Sequence, residues 1–378
     1  MTDRTQHAGS ARGGKGGTAQ GGTGAKKGGT SMGGAAQGTA ADGTVEGTTA
    51  NGAAEKGSSV RPASPDALAG RDLLRLLDLS PAELAVVLDV AAQQKAAWAA
   101  GGREVPSRGG AVAIILEKPS LRTRSSFEIG VRRLGLHPLV MSDGHSAFSR
   151  GESVYDTVKV LERFVDAIVL RTFGQDKIVE VARCADVPVV NALTDSFHPC
   201  QGLADALTIR EHKGGLAGLT LAFIGDGNNM AHTYAELGAL TGMHVRLACP
   251  AGFEPDLNII ADCEHAVADG ATGATIAVGS DPREAADGAD VVITDTWTSM
   301  GDEAEHDQRL AAFAGFQVDS ALMSRAADDA IFLHCLPAHR GEEVTDEVMD
   351  GPQSVIFDEA ENRLHAQKAL LSLVLGLQ

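Results

Sequence analysis

The sequence predicts an α/β protein in which two doubly wound parallel-sheet domains enclose a ligand cleft. Apolar runs of strand length alternate with amphipathic stretches of helix length, and this alternation occurs twice, on either side of the glycine pair at 214–215. Strands that alternate with helices form parallel sheets covered on both faces. Ligands of such folds bind beyond the carboxyl ends of the strands, so we expect the site to lie between the two halves.

The length of 378 residues is sufficient for two domains. Residues 1–60 are rich in glycine, threonine and alanine and lack apolar periodicity. Such a segment buries too little surface to offset the entropy of ordering it, so we predict a disordered, low-complexity extension. We then expect a first domain over 61–214, a second over 215–358, and a final helix within 359–378 that packs back on the first domain.

Composition excludes several classes of protein. The formal net charge of −18 argues against a nucleic-acid or anionic-membrane partner. The five cysteines are scattered and form no C-x-x-C pair, which favours a reduced, cytoplasmic protein over a disulfide or zinc framework. No apolar run reaches the roughly 18 residues that a membrane span needs.

The first domain opens with a capping box at Ser80-Pro81-Ala82-Glu83, which predicts a helix that ends near Gly101. Apolar runs predict the strands that follow, at Ala111–Leu116, Leu139–Met141, Ala167–Arg171 and Val187–Asn191. Amphipathic spacing predicts the helices between and after them, from Ser120, over Ser153–Phe164, over Asp176–Cys184 and over Gln201–His212.

The second domain repeats the alternation. Its predicted strands are Leu219–Gly225, Val245–Cys249, Thr275–Val278, Val291–Thr294 and Ile331–His334. Its predicted helices are Asn228–Leu240 and Leu257–Ala268, and the predicted final helix of the chain is Ala360–Leu377.

Three cations gather where the first strand gives way to a helix. Pro119 ends the strand and Ser120 is the predicted N-cap, with Lys118, Arg122 and Arg124 beside it. A cation at a helix N-terminus costs roughly 0.3–1 kcal/mol, so this arrangement is unfavourable unless an anion is bound. Free backbone N–H groups, hydroxyls and guanidinium groups together favour a site for a phosphate-like anion over an ordinary basic surface turn.

Polar side chains also follow later strands. Arg171 closes the third strand, and alone it would be interpreted as a surface arginine. His198 and Gln201 flank the start of the next helix, where a histidine suits hydrogen bonding to a carbonyl oxygen and a glutamine suits an amide. A zinc site needs further ligands at defined spacing, and the sequence offers none there, so we predict no metal.

The second domain adds three motifs. Gly225-Asp226-Gly227-Asn228-Asn229 follows an apolar strand, but position 230 is methionine and the acidic residue expected about 20 positions later is absent, which argues against a dinucleotide site. Asp295, with Ser299 and Met300 in the turn after it, suits a substrate ammonium. Cys335 ends an apolar strand, and we expect the neighbouring His334 to point to the opposite face.

Together these motifs resemble the aspartate/ornithine carbamoyltransferase family. Ser120-Leu121-Arg122-Thr123-Arg124 is similar to its carbamoyl-phosphate signature, and His198-Pro199-Cys200-Gln201 to its second signature. The Ser299-Met300-Gly301 turn resembles the loop of the ornithine-specific branch rather than that of the aspartate enzymes. The resemblance covers roughly residues 68–377.

The resemblance implies roles for individual residues in an active-site cleft, with no metal and no organic cofactor. The implied catalytic residues are Arg122, His198, Cys335 and Arg363. The implied carbamoyl-phosphate ligands are Ser120, Leu121, Arg122, Thr123, Arg124, Arg171, His198, Gln201, Cys335, Leu336 and Arg363. The implied ornithine ligands are Asn229, Asp295, Ser299 and Met300. We further expect Arg363 to lie at the start of the last helix and the Leu121 side chain to face the core.

The implied activity is carbamoyl transfer from carbamoyl phosphate to the δ-amine of L-ornithine, in a homotrimer that acts in arginine metabolism. Three alternatives stay open at this point. In the first, the carbamoyl acceptor is a different amine, such as putrescine or lysine. In the second, the protein is a cysteine-dependent hydrolase. In the third, it is a carbamoyltransferase-like binding protein without activity. A nucleophilic cysteine would need a paired base that a third group orients.

Overall fold

The computed structural model describes residues 64–102, 105–142, 151–298 and 306–377. The predicted disordered extension over 1–60 therefore lies outside the described residues. The described part forms an α/β fold with two parallel sheets flanked by helices, which confirms the predicted fold class. None of its helices is long and apolar enough to cross a membrane.

The first sheet has the strand order β2-β1-β3-β4, and all of its strands are parallel. Its strands are β1 (Ala111–Leu116), β2 (His137–Ser142), β3 (Ala167–Arg171) and β4 (Val189–Leu193). Its helices are α1 (Pro81–Ala99), α2 (Leu121–Arg133), α3 (Val154–Leu161), α4 (Gln175–Cys184) and α5 (Pro199–Lys213), preceded by short 3₁₀ turns at Pro65–Leu68 and Leu76–Asp78. The predicted capping box is present, because Ser80 Oγ accepts from the Glu83 N–H and Glu83 accepts from the Ser80 N–H.

The second sheet has the strand order β7-β6-β5-β8-β9 and is also parallel. Its strands are β5 (Thr220–Ile224), β6 (His244–Ala248), β7 (Ile276–Gly279), β8 (Val291–Thr294) and β9 (Ile331–His334). Its helices are α6 (Asn229–Thr241), α7 (Leu257–Gly270), α8 (Pro282–Ala286), α9 (His306–Ala312), α10 (Ser320–Met323) and α11 (Asp346–Met349).

The last helix, α12 (Ile356–Val374), packs against α1, α2 and α5 of the first sheet. Its Asn362 amide donates to Thr208 Oγ1 at 2.9 Å on α5. This buried helix brings side chains from the end of the chain to the carboxyl edge of the first sheet. Residue 214, where α5 ends in a left-handed glycine, separates the elements of the two sheets, and the domain boundaries themselves stay a prediction.

The expected environment of two residues was wrong. The α12 helix begins at Ile356 instead of Ala360, so Arg363 is about two turns into the helix and does not oppose its dipole. Asp358 and Glu359 occupy the first turn instead, where the helix dipole favours them. Leu121 is 78 % exposed rather than buried, because it is the first residue of α2 and lines an open cavity instead of packing under the helix.

Candidate active site

One cavity of about 870 Å³ lies between the carboxyl edges of the two sheets. Residues from β3, β4, α2, α5 and α12 line one side, and residues from α6 and the loops after β8 and β9 line the other. Among the predicted site residues, those that line the cavity are Ser120, Leu121, Arg122, Arg171, His198, Gln201, Asn229, Asp295, Cys335, Leu336 and Arg363.

The start of α2 has the predicted geometry. Ser120 is the N-cap, and its Oγ accepts from the Thr123 backbone N–H at 3.3 Å. Ser120 and Arg122 face the cavity, whereas Thr123 is buried behind them and its Oγ1 accepts from Arg363 Nη2 at 3.1 Å. Arg124 does not line the cavity, and its Nε lies 3.7 Å from the Glu128 carboxylate on the exposed side of the helix. The structure therefore brings together the predicted α2 residues except Arg124.

Four basic side chains converge on this cavity. Burial, with Arg363 and Arg122 nearby, lowers the pKa of Arg171 to about 10. Burial and the same cations, together with Arg171, hold the pKa of His198 well below its usual value, so its imidazole is neutral at pH 7. Like charges held this close are unfavourable until an anion joins them. The cavity is therefore poised to bind an anion.

Three nitrogens of this cluster are buried and unpaired within the part of the chain that the structure describes. They are Arg171 Nε, His198 Nδ1 and Arg363 Nε. A buried polar group without a partner costs roughly 1–3 kcal/mol. His198 is fixed as the N-cap of α5, and its own N–H donates to Thr233 Oγ1 at 2.9 Å on α6. The elements of both sheets thus hold the cluster in place.

Beneath the cations lies a buried polar network that sequence reasoning missed. Gln201 donates through Nε2 to Asp205 Oδ1 at 2.8 Å and to Glu359 Oε1 at 2.9 Å, and its Oε1 accepts from Arg363 Nη1 at 2.7 Å. Tyr234 donates its hydroxyl to Asp205 Oδ2 at 3.0 Å. The available signal was Asp205 itself, an acidic residue four positions after Gln201 and hence on the same face of α5.

The second sheet contributes acceptors and amides. Asp295 Oδ1 accepts from the Thr296 N–H at 2.7 Å, and the Asn229 amide donates to the Thr194 carbonyl at 2.7 Å. The predicted Ser299 and Met300 lie outside the described residues. Lys118 and Asp226, which belong to the sequence motifs, also line the cavity. Further lining residues that the sequence did not single out are Asp195, Thr298, His306, Arg309 and His339.

Cys335 has the environment of an inert thiol. Burial and the adjacent Asp295 carboxylate, which accepts from Sγ at 3.0 Å, raise the pKa of this thiol well above its usual value. The expectation that His334 points to the opposite face was wrong, because β9 ends at His334 and its alternation does not continue. However, Nδ1 of His334 accepts from the Leu336 N–H and Nε2 faces Glu343, so neither nitrogen serves the thiol as a base.

Two groups of described side chains have ligand atoms close enough together to hold a metal ion. One consists of Asp295, His334 and Cys335, where both nitrogens of the histidine already have hydrogen-bond partners. The other consists of His339, Glu342 and Glu343 beside the cavity. The expectation that the chain needs no metal stays a prediction.

Comparison with known proteins identifies relatives along nearly all of the described chain. The carbamoyl-P binding domain of aspartate/ornithine carbamoyltransferases matches residues 71–211, and their Asp/Orn binding domain matches residues 217–374. An ornithine carbamoyltransferase from Acidothermus cellulolyticus is 55 % identical over 299 residues, which is 79 % of this chain and 94 % of the relative. Another, from Clavibacter sepedonicus, is 57 % identical over 304 residues, which is 80 % of this chain and 97 % of the relative.

A solved structure agrees with these sequence matches. The ornithine carbamoyltransferase from Pyrococcus furiosus superimposes with a TM-score of 0.78 at 46 % identity, covering 82 % of this chain and 98 % of that one. Both domains, the length of the match and the identity point to the same group. The chain belongs to the aspartate/ornithine carbamoyltransferase family, and within that family it groups with the ornithine carbamoyltransferases.

Proposed function

We propose that this enzyme transfers the carbamoyl group of carbamoyl phosphate to the δ-amine of L-ornithine, giving L-citrulline and phosphate. One observation supports this more than any other. Arg122, Arg171, His198 and Arg363, which the chain supplies from four separate elements, line a single cavity. Such a cluster suits a small dianion that also carries a polarised carbonyl group.

The cation cluster supports an order for the first steps of the proposed reaction. Carbamoyl phosphate binds first, with its phosphate at the N-terminus of α2 and against Arg122 and Arg171. The neutral δ-amine then attacks the carbonyl carbon, and negative charge develops on the carbonyl oxygen. His198, Arg122 and Arg363 stabilise that oxygen, after which the bond from carbon to the phosphate oxygen breaks and the departing phosphate takes the proton that the attacking nitrogen gives up. The rate gain comes from positioning and preorganised charge rather than from a covalent intermediate.

The opposite wall of the cavity receives the acceptor. Asp295 and Asn229 supply a carboxylate and an amide for the amino-acid ammonium and carboxylate groups, and we propose Ser299 and Met300 as further contacts. Cys335 and Leu336 lie between the two walls, where they contact the carbamoyl group. The protonated thiol of Cys335 supports this packing role and disfavours the cysteine-hydrolase alternative.

The acceptor is tested by a colorimetric assay for ureido products with L-ornithine, L-lysine, putrescine and L-aspartate at equal concentrations. We expect L-ornithine to give a kcat/KM at least about a hundredfold above the other amines, because it alone among them combines a δ-amine with the amino-acid head group that Asp295 and Asn229 are proposed to bind. Cys335→Ser should impair the transfer without abolishing it, whereas a thiol hydrolase would lose all activity. Equal or greater activity with putrescine or lysine would contradict the proposal.

The pH dependence of kcat/KM should reflect the ionisation of the ornithine δ-amine and not that of His198. Because burial and three cations hold the pKa of His198 well below its usual value, its imidazole stays neutral at neutral and alkaline pH. The δ-amine must lose its proton before it attacks, so kcat/KM for ornithine should rise by about tenfold per pH unit while the amine is charged. His198→Asn should lower the rate but keep the slope. A flat profile, or a slope that disappears in this variant, contradicts the assignment.

We also propose that the enzyme assembles as a homotrimer through its first domain and acts in the cytoplasm in arginine metabolism. Exposed apolar side chains on and near α2 and α3 support an interface there, since such side chains gather at contact surfaces. They are Leu121, Ile129, Tyr155, Val160, Phe164 and Phe173. The five free cysteines support a reducing compartment.

A further inference from the structure

The Gln201 amide has only one orientation that its neighbours accept. Its nitrogen faces two carboxyl oxygens, at 2.8 Å on Asp205 and 2.9 Å on Glu359, and its oxygen faces the Arg363 guanidinium at 2.7 Å. Rotating the amide by half a turn would set oxygen against both carboxyls and N–H against a group that only donates. Even with one carboxyl protonated, the contacts to the other carboxyl and to Arg363 would both become unfavourable, so the oxygen is fixed on the Arg363 side.

The two carboxyl groups are held side by side by the same amide nitrogen. Asp205 Oδ1 and Glu359 Oε1 both accept from Gln201 Nε2. Burial raises the pKa of Asp205, and burial together with the neighbouring Asp205 carboxyl raises the pKa of Glu359 well above its usual value, so the pair keeps a proton at neutral pH. The remaining oxygens are also occupied, because Glu359 Oε2 accepts from the His334 N–H at 2.8 Å and Asp205 Oδ2 accepts from Tyr234.

The fixed amide has one acceptor position left for a ligand. A carbonyl oxygen accepts two hydrogen bonds, and Arg363 supplies one of them to Gln201 Oε1. Gln201 is 1 % exposed and lines the cavity, so an N–H on the bound ligand can supply the second. A methyl group in that place would leave a buried acceptor facing carbon.

We infer that Asp205 and Glu359 are positioning residues that hold the Gln201 oxygen toward the ligand, and that this makes the site select acyl phosphates bearing an N–H donor over those bearing a methyl group. The inference rests on the proposed function, because it assumes that the cavity takes carbamoyl phosphate. It adds two acidic side chains that do not touch the substrate but set the donor specificity of the site by orienting Gln201.

Two stable analogues provide the test, since phosphonoacetamide and 2-oxopropylphosphonate differ only in having NH₂ or CH₃ on the carbonyl carbon. Isothermal titration of the full-length protein should give a dissociation constant on the order of tenfold to a hundredfold lower for the amide. Failure of both analogues to bind would count against the proposed function. Equal binding of both to the wild-type protein would overturn the inference alone.

The decisive variant is Glu359→Gln. A carboxyl oxygen accepts a hydrogen bond even when protonated, whereas an amide nitrogen does not. The new amide can therefore accept from Gln201 or from the His334 N–H, but not from both. Gln201 then keeps only its contacts to Asp205 and Arg363, so its orientation is held less strictly. We expect the preference for the amide analogue to fall to within about threefold, mainly through weaker binding of phosphonoacetamide.

The matched control is Glu236→Gln. Glu236 is likewise fully buried and accepts from a backbone N–H, that of Leu76 at 2.8 Å, but it does not line the cavity. Its variant should keep the wild-type preference, which separates orientation of Gln201 from a general loss of stability. If Glu359→Gln does not fold, Asp205→Ala removes the other acceptor and should lower the preference in the same direction. An unchanged preference in either folded variant at position 205 or 359 overturns the inference.

Discussion

Arg122→Ala is expected to lower kcat/KM for carbamoyl phosphate by at least about a thousandfold, a loss of roughly 4 kcal/mol of transition-state stabilisation. Arg122 lines the cavity beside Ser120 at the N-terminus of α2, and its charge also acts on Arg171 and His198. The proposed function gives it both the phosphate and the developing oxyanion. Initial rates of citrulline formation, with titration of phosphonoacetamide, measure the two contributions separately.

Arg132→Ala is the matched control for this variant. Arg132 lies on the same helix, but its guanidinium is largely exposed and lies 3.6 Å from the Glu128 carboxylate, away from the cavity. Removing an exposed ion pair of this kind costs at most about 1 kcal/mol, so activity should stay within about threefold of wild type. Unchanged affinity for phosphonoacetamide in Arg122→Ala would show that the phosphate lies elsewhere.

The positions of most site residues relative to the strands and helices were predictable, because they follow from local sequence patterns. Apolar runs located the strands, and the parallel register then placed their ends side by side, as in the pairing of Leu116 with Arg171. Pro119 and Ser120 located the start of α2, where Ser120 is the N-cap as predicted. Amphipathic spacing placed the start of α5 at Gln201, two residues after the observed first residue Pro199, so His198 was expected beside the helix start that it caps. Residues directly after strands therefore converge without any knowledge of long-range contacts.

Interactions between distant elements were not predictable in this way. The acid pair joins Asp205 on α5 to Glu359 on α12, and no periodicity within either helix reveals that these helices meet. Burial of polar residues is decided by the same packing, so the burial of the charged Arg363 against Gln201 and Thr123 could not be read from α12 alone. The predicted burial of Leu121 was wrong for the opposite reason. Leu121 is apolar and fits the amphipathic pattern of α2, yet it is exposed at the first position of the helix.

Local rules also fail where an element ends. The alternation of side chains holds within a strand, but β9 ends at His334 and Leu336 adopts a left-handed φ of 58°. The direction of Cys335 is therefore set by its contact with Asp295 on the neighbouring strand end and not by its place in the pattern. Side chains at the carboxyl ends of strands form the cavity, so the site is the region where simple periodicity gives the least information.

Arg363→Met is expected to lower kcat by about a thousandfold or more and to weaken phosphonoacetamide binding. The side chain is 3 % exposed and donates to Gln201 Oε1 and Thr123 Oγ1. Its loss leaves the buried Gln201 oxygen unpaired, whereas Thr123 Oγ1 still accepts from the Ser120 hydroxyl at 3.0 Å. The acid pair also loses a nearby positive charge that lowers the pKa of both carboxyls. Removing one partner from a buried charged network costs roughly 3–5 kcal/mol, in addition to the lost stabilisation of the oxyanion.

Lys368→Met separates these effects, because it removes another buried cation from the same helix at a position that does not line the cavity. Burial lowers the pKa of Lys368, so its ammonium is already unfavourable there, and an isosteric apolar side chain should leave Tm unchanged or raise it. Citrulline formation by this control should stay within about threefold of wild type. If Arg363→Met shows the same small change while its Tm falls, Arg363 stabilises the fold and does not act on the carbamoyl group.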